Sequence, residues 1–142
     1  MLVFADTSAL FALLARNDYM HVRAKAAFEY FRNHDTILVT SSYVLVETMA
    51  LVQSRLGMDA AIDFHQKIEP LLEIVWVDNE WHSKAAQRLL AIRKNKVSLV
   101  DCLSFIIMEA REINIAYSYD KHFQEQGFTL ITHGAYDSKV RC

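Results

Sequence analysis

Leu2-Val3-Phe4-Ala5-Asp6-Thr7-Ser8 is the stretch that decides the fold. Its apolar residues follow one another without alternation, which reads as a short strand buried on both faces. Asp6 ends the run, and Asp6, Thr7 or Ser8 can cap a helix that continues to about Arg16. A strand buried on both faces belongs in a parallel sheet with helices packed over each side.

The same unit recurs along the chain. Ile37 to Thr40 reads as a second strand, and Ser41 or Ser42 opens a helix that Gly57 stops near Leu56. Glu73 to Val77, rich in β-branched and aromatic residues, is the third strand. Ile115 to Ser118 is the fourth and Phe128 to Thr132 the fifth. Helical spacing covers His21 to Asn33, Met58 to about Glu69 (closed by Pro70), Asp78 or Asn79 to about Arg93, and Ser98 to about Glu112. Ser98 and Asp101 have the spacing of a capping box, with Asp in place of Glu or Gln. Strands alternating with helices predict an α/β, three-layer α/β/α fold around a central parallel sheet of about five strands. No repeat, low-complexity segment or boundary divides residues 1–142, which read as a single domain. The polar tail from residue 133 onward is expected to be flexible.

Composition narrows the function. With 53% hydrophobic and 23% charged residues in a chain of 142, the protein has the composition of a folded domain. A net charge of -2 excludes a nucleic-acid binder held by bulk charge, so any nucleic acid must be gripped by a local basic rim and by metal. Cys102 and Cys142 form no disulfide framework and no Cys/His spacing suits zinc. Cys102 reads as a small core residue, Cys142 as exposed, and a reducing compartment follows. The N-terminus lacks the basic start of a signal peptide, and no apolar run is long enough to span a membrane. The expected location is the cytoplasm.

Within these apolar runs stand four carboxylates: Asp6, Glu47, Asp101 and Asp120. Burying an ionised carboxylate is costly unless a cation or a set of donors compensates. In an open α/β sheet the ligand site lies outside the carboxyl ends of the strands. Asp6 ends the first strand and Asp120 follows the fourth, while Asp101 lies in the first turn of a helix and Glu47 two turns into another. Convergence at one sheet edge would make an acidic pocket that needs a divalent ion. Mg²⁺ and Mn²⁺ prefer such oxygen ligands, and one or two ions can polarise a phosphoryl oxygen and acidify a coordinated water. Asp6 and Asp101 are the most direct ligands on this reading; Glu47 and Asp120 bind a second ion or orient waters. Ser8 and Ser118 stand where either can support a carboxylate or a phosphate.

Each acid also has a plainer reading. Asp6 serves as a helix N-cap, Asp101 as the partner in a capping box, and Asp120 as a turn residue. Glu47 lies in a run that is apolar on nearly every helical face, so it is expected to be buried, with one Lys or Arg as the plain alternative partner. His122 reads as structural rather than as a general base. The remaining histidines show no metal-ligand spacing, and Trp76 and Trp81 are assigned to core or interface.

The pieces Phe4-Ala5-Asp6-Thr7-Ser8-Ala9-Leu10, Val46-Glu47-Thr48, Val100-Asp101-Cys102-Leu103-Ser104-Phe105 and Ser118-Tyr119-Asp120-Lys121-His122-Phe123 resemble the PIN-domain nucleases. The short chain is similar to the VapC toxins of toxin–antitoxin pairs within that group. The likeness runs from Leu2 to about Thr132 and departs at Cys102 and Ser104, where alanine-like residues are commoner. It implies Mg²⁺- or Mn²⁺-dependent cleavage of RNA, frequent homodimers and an antitoxin partner. It places the acidic site on Asp6, Glu47, Asp101 and Asp120, with Ser8 and Ser118 in support. Lys121, Arg93, Lys94 and Lys96 are the candidates for gripping an RNA backbone, which positions rather than specifies. Competing readings are a receiver-like phosphoacceptor domain using Asp6 or Asp78, and a PIN-like RNA-binding module without catalysis. A phosphatase with an Asp nucleophile lacks its second Asp after Thr7.

Overall fold

Five parallel strands form one sheet in the order β3-β2-β1-β4-β5. They are β1 Leu2–Ala5, β2 Ile37–Ser41, β3 Leu72–Val75, β4 Ile115–Tyr117 and β5 Thr129–Leu130. This computed structural model describes residues 1–131. The predicted end of the last strand at Thr132, the flexible tail and Cys142 lie outside the described residues.

β1 lies in the middle because it is the most apolar strand. Val3, Phe4 and Ala5 are fully buried. It pairs with β2 through Val3↔Leu38 and Phe4↔Val39, and with β4 through Phe4↔Ala116 and Ala5↔Tyr117. The chain first steps outward from β1 through β2 to β3, then returns across β1 to β4 and β5. Right-handed crossovers in opposite directions put helices on opposite faces. One set is α1 Thr7–Leu14, α2 His21–Asn33, α3 Ser42–Leu56 and α4 Met58–Asp63; the other is α5 Asn79–Ile92, α6 Leu99–Ala110 and α7 His122–Glu125. These are the three layers predicted from the sequence. The gap between β1 and β4 is the switch point of the sheet, where α/β folds bind ligands.

Two departures from the predicted elements have local causes. The helix from Met58 continues beyond Asp63 as a π turn, Phe64–Ile68, and a 3₁₀ turn, Glu69–Leu71. Pro70 lacks an N–H and cannot continue an α ladder, so the preceding turns change their hydrogen-bonding period. α7 was not foreseen because four residues cannot show a helical period. Gly127, at φ 95°, then turns the chain toward β5. No helix among the described residues is long and apolar enough to cross a membrane.

A candidate acidic active site at the switch point

Asp6 follows β1, and its N–H donates to Tyr117 O across the sheet at 3.0 Å. That ladder bond sets the end of β1 against the end of β4, where Ser118 stands. Asp6 caps α1 with one carboxylate oxygen, Oδ2. Oδ2 accepts from Ser8 N at 3.4 Å, Ser8 Oγ at 2.8 Å and Ser118 Oγ at 2.9 Å. The two serines also receive backbone donors: Tyr119 N reaches Ser8 Oγ at 2.9 Å and Asp120 N reaches Ser118 Oγ at 3.0 Å. The hydroxyls therefore stitch the loop after β4 onto Asp6. The supporting role expected of Ser8 and Ser118 has a specific geometry here.

Asp101 is brought in by α6. Its N–H donates to Ser98 Oγ, and its Oδ2 accepts from Ser98 N, each at 3.0 Å, so the capping box predicted from the sequence forms with Asp. Asp120 makes a turn, its Oδ1 accepting from His122 N at 2.9 Å. All three Asp residues thus fulfil their plain reading with one oxygen. Among the described residues, no hydrogen bond reaches Asp6 Oδ1, Asp101 Oδ1 or Asp120 Oδ2.

Burial pushes the Asp6 carboxyl up from 3.8 to about 6; the Asp101 charge adds to this, and the Ser8 and Ser118 hydrogen bonds oppose it. Asp101 is also raised, first by burial, then by the charges of Asp120 and Glu47, with Ser98 opposing. Asp101 is therefore the acid through which the others are linked: its charge raises Asp6, and the charges of Asp120 and Glu47 raise it.

The expected burial of Glu47 does not hold: its side chain is exposed. α3 buries Val44, Leu45, Thr48 and Val52, and Glu47 lies off that face. The run looked fully buried because the outer face is apolar too; Val46 stands 69% exposed. Among the described residues Glu47 forms no ion pair, so the alternative of one Lys or Arg partner is absent as well. Only Asp6 of the four acids is buried; Asp101 and Asp120 are half-buried.

His122 comes closer to the acids than its sequence reading implied. Its Nδ1 lies 3.0 Å from Asp120 Oδ1 but is not aligned for a hydrogen bond. One donor atom each from Asp101, Asp120 and His122 lies within 4.8 Å of the others. Nothing in the spacing of the histidines signals this; only the proximity of His122 to Asp120 in sequence could have done so. The donor set fits a divalent cation: oxygen-rich, mutually repelling, and with one oxygen of each Asp unengaged.

Among the described residues no ion pair ties the candidate basic residues to the acids. Lys121 is exposed beside Asp120. Arg93, Lys94 and Lys96 are exposed in the α5–α6 loop. Arg93 and Lys94 line a broad cleft of about 500 Å³ with Leu89, Leu90, Asn95 and Val97, a wall that contains no acid. This cleft is therefore not where the acidic chemistry lies. Asp78, the receiver-type candidate, caps α5 at the end of edge strand β3, accepting from Trp81 N at 2.9 Å. That position is away from the switch point.

Comparison with known proteins follows the same outline. The sequence profile described as PIN domain matches residues 3–129. The 23S rRNA-specific endonuclease VapC20 of Mycobacterium tuberculosis is 29% identical over 131 residues, 92% of this chain and 98% of the relative. The crystal structure of VapC20, described as a Sarcin-Ricin loop cleaving toxin, superposes with a TM-score of 0.80 over 89% of this chain and 96% of that one. FitAcB from Neisseria gonorrhoeae, 16% identical, has a TM-score of 0.64 and covers 92% of this chain and 96% of its own, a likeness of fold.

Proposed function

The chain belongs to the PIN-domain family, and from that premise we propose that it is a metal-dependent endoribonuclease, the toxin of a toxin–antitoxin pair, which hydrolyses RNA phosphodiester bonds. The observation that carries this reading is the buried Asp6 at the switch point, in the field of Asp101, with each Asp keeping one oxygen free of the fold's own bonds. The likeness to VapC20 supports RNA as the substrate, with ribosomal RNA the first to try.

Asp6 and Asp101 would hold Mg²⁺ or Mn²⁺, one ion or two, with Glu47 and Asp120 completing the set. The ion supplies Lewis-acid stabilisation of the phosphoryl oxygens and an acidic water. The chain's own groups do the positioning. Ser8 and Ser118 fix one Asp6 oxygen and leave the other without a hydrogen bond among the described residues. Ser98 orients Asp101. Lys121 beside Asp120, and Arg93, Lys94 and Lys96 on the neighbouring loop, give the RNA backbone its contacts, which set affinity and register. An antitoxin and a second copy of this chain are the protein partners of this reading. Large apolar side chains such as Val46 (69% exposed), Trp76 (71%) and Leu90 (74%) offer surfaces for them. The assignment of Trp76 to an interface rather than the core accords with that exposure. The whole chain acting as one domain in the cytoplasm completes the proposal.

The test is cleavage of a mixed RNA pool with Mn²⁺, with Mg²⁺ and with EDTA, by the wild-type chain and by Asp6→Asn. Metal-dependent cutting that disappears in the variant supports the reading. Folded, inhibitor-free protein that cuts under no condition would favour an RNA-binding module without catalysis.

A further inference from the structure

Beside the acids, and sharing Ser8 with them, lies a second cleft of about 280 Å³. Phe11, Tyr19, Leu51, Arg55 and Tyr119 line it with Ser8. Its volume lies just below the range of ligand pockets, roughly 300–1,000 Å³, which suits a single flat ring system rather than a helix. We propose that this cleft holds one unpaired nucleobase of the RNA substrate, next to the phosphate presented to the acids. The inference rests on the ribonuclease reading and deepens it, because it assigns the residues that select a single-stranded segment.

Three observations carry it. First, the position is coupled to the acidic site. Ser8 Oγ both donates to Asp6 Oδ2 at 2.8 Å and accepts from Tyr119 N at 2.9 Å, so one hydroxyl belongs to both walls. On α3, Glu47, Leu51 and Arg55 recur every four residues along one face. That face runs from the acids to the cleft, and Arg55 lies roughly 12 Å along the helix axis from Glu47 at ~1.5 Å per residue. Second, the walls have the chemistry of base stacking. Tyr19 is 90% exposed at the rim, an unusual state for an aromatic ring with no protein over it. Unstacked RNA bases lie on rings of this kind and on guanidinium planes. Third, charge complements a nucleotide. Arg55 sits 5.8 Å above the Phe11 ring and forms no ion pair among the described residues. Asp18, the acid at the rim, has one carboxylate oxygen engaged in its own loop, where Oδ1 accepts from Met20 N at 2.8 Å. The Tyr119 hydroxyl is shielded from water and has no hydrogen-bond partner among the described residues.

The experiment uses fluorescein-labelled RNA oligonucleotides in which an abasic residue replaces each base in turn around the cut site. Binding is read by anisotropy on the cleavage-disabled Asp6→Asn chain, and cleavage by the wild-type chain, Tyr19→Ala, Arg55→Ala and Arg55→Lys. Loss of one base contact is expected to weaken binding roughly 10- to 100-fold at a single position flanking the cut. Tyr19→Ala should show the same loss on intact RNA and little more on the abasic RNA, and Arg55→Lys should recover only part of the Arg55→Ala defect. The defects should appear mainly in KM. A flat abasic scan, or Tyr19→Ala and Arg55→Ala at wild-type KM, while the wild-type chain cuts RNA, overturns the nucleobase site and leaves the nuclease. Variants that keep RNA affinity but lose a co-expressed partner protein assign the cleft to that protein and overturn it likewise. A wild-type chain that neither cuts nor binds RNA removes the ribonuclease reading and this inference together.

Discussion

Asp6 accepts from the Ser8 and Ser118 hydroxyls and pairs with no Lys or Arg among the described residues, and this sets its behaviour with pH. Its pKa in the folded chain, about 6, lies above the ordinary 3.8 because burial penalises the charge more than the serines relieve it. The folded state therefore binds this proton more tightly than the unfolded state. The contribution to stability is fully present below about pH 4 and is lost as pH rises through 6, reaching about 3 kcal/mol at neutral pH without metal. Asp6→Asn should remove that penalty: in EDTA its melting temperature should exceed wild type at pH 7.5, and the gap should close toward pH 4.5. Equal gaps at both pH values would mean that Asp6 is not ionising against burial. The same variant should lose RNA cleavage at least 100-fold. Ser118→Ala takes away one of the donors on Asp6 Oδ2 and the acceptor of Asp120 N. By analogy with groups that orient metal ligands, it should cost roughly 10- to 100-fold in metal affinity or activity. Metal titration by calorimetry would read this directly. At this scale the sequence was legible where a residue's cap was visible, since Asp6 and Asp101 stand where capping logic put them. It misled at Glu47, because an apolar run cannot distinguish a buried face from an exposed apolar one.

At the scale of elements, two joints stand out, one at the end of the helix that carries Glu47 and one against the helix that carries Asp101. Gly57 ends α3 and begins α4 with φ 95° and ψ 178°, a region essentially closed to other residues. A Cβ there would meet nothing within 4 Å, so Gly57→Ala isolates backbone strain from crowding. It should cost about 1–3 kcal/mol, read as a shift in the denaturant midpoint at unchanged slope. An unchanged midpoint would show that the joint relaxes. The second joint is Arg88 on α5. It grips Glu109 of α6 through two bonds of 2.9 Å and reaches Gln126, just after α7, at 2.9 Å. The Glu109 carboxyl is held below its ordinary range chiefly by this hydrogen bond. The pair is partly solvated, at 26% and 48% side-chain exposure, so Arg88→Met should cost only about 1 kcal/mol. Sequence reading found the strands from their short apolar runs and the long helices because their period is sustained. It missed α7 and this clamp, since neither a four-residue helix nor a contact between Arg88 and Glu109 leaves a local pattern.

For the whole molecule, the decisive feature is the reversal of strand order at β1. It sets the end of β1, carrying Asp6, against the end of β4, carrying Ser118 and leading to Asp120. Parallel strands and their helices were readable from apolar runs, but which strands are neighbours was not, and convergence of the acids depends on that. A fold that sets Asp101 beside Asp120, with Asp6 and Glu47 coupled to Asp101 by charge, is less stable for doing so, and a divalent ion should restore what is lost. A ligand that binds only the folded state stabilises it by about 2.7 kcal/mol at a hundredfold excess over Kd. The ion needs ionised carboxylates, so its effect must grow as pH rises through the Asp6 value of about 6. Mn²⁺ should therefore raise the melting temperature by several degrees at pH 7.5 and by clearly less at pH 5. In Asp6→Asn the increase should be smaller at both, with the part of the pH dependence due to Asp6 gone. Thermal melts of both proteins at the two pH values, with Mn²⁺ and with EDTA, distinguish this from general salt stabilisation. If Mn²⁺ raised all four melts equally, the acids would not be acting as its ligands, and the reading of the switch point as a metal-dependent site would fail.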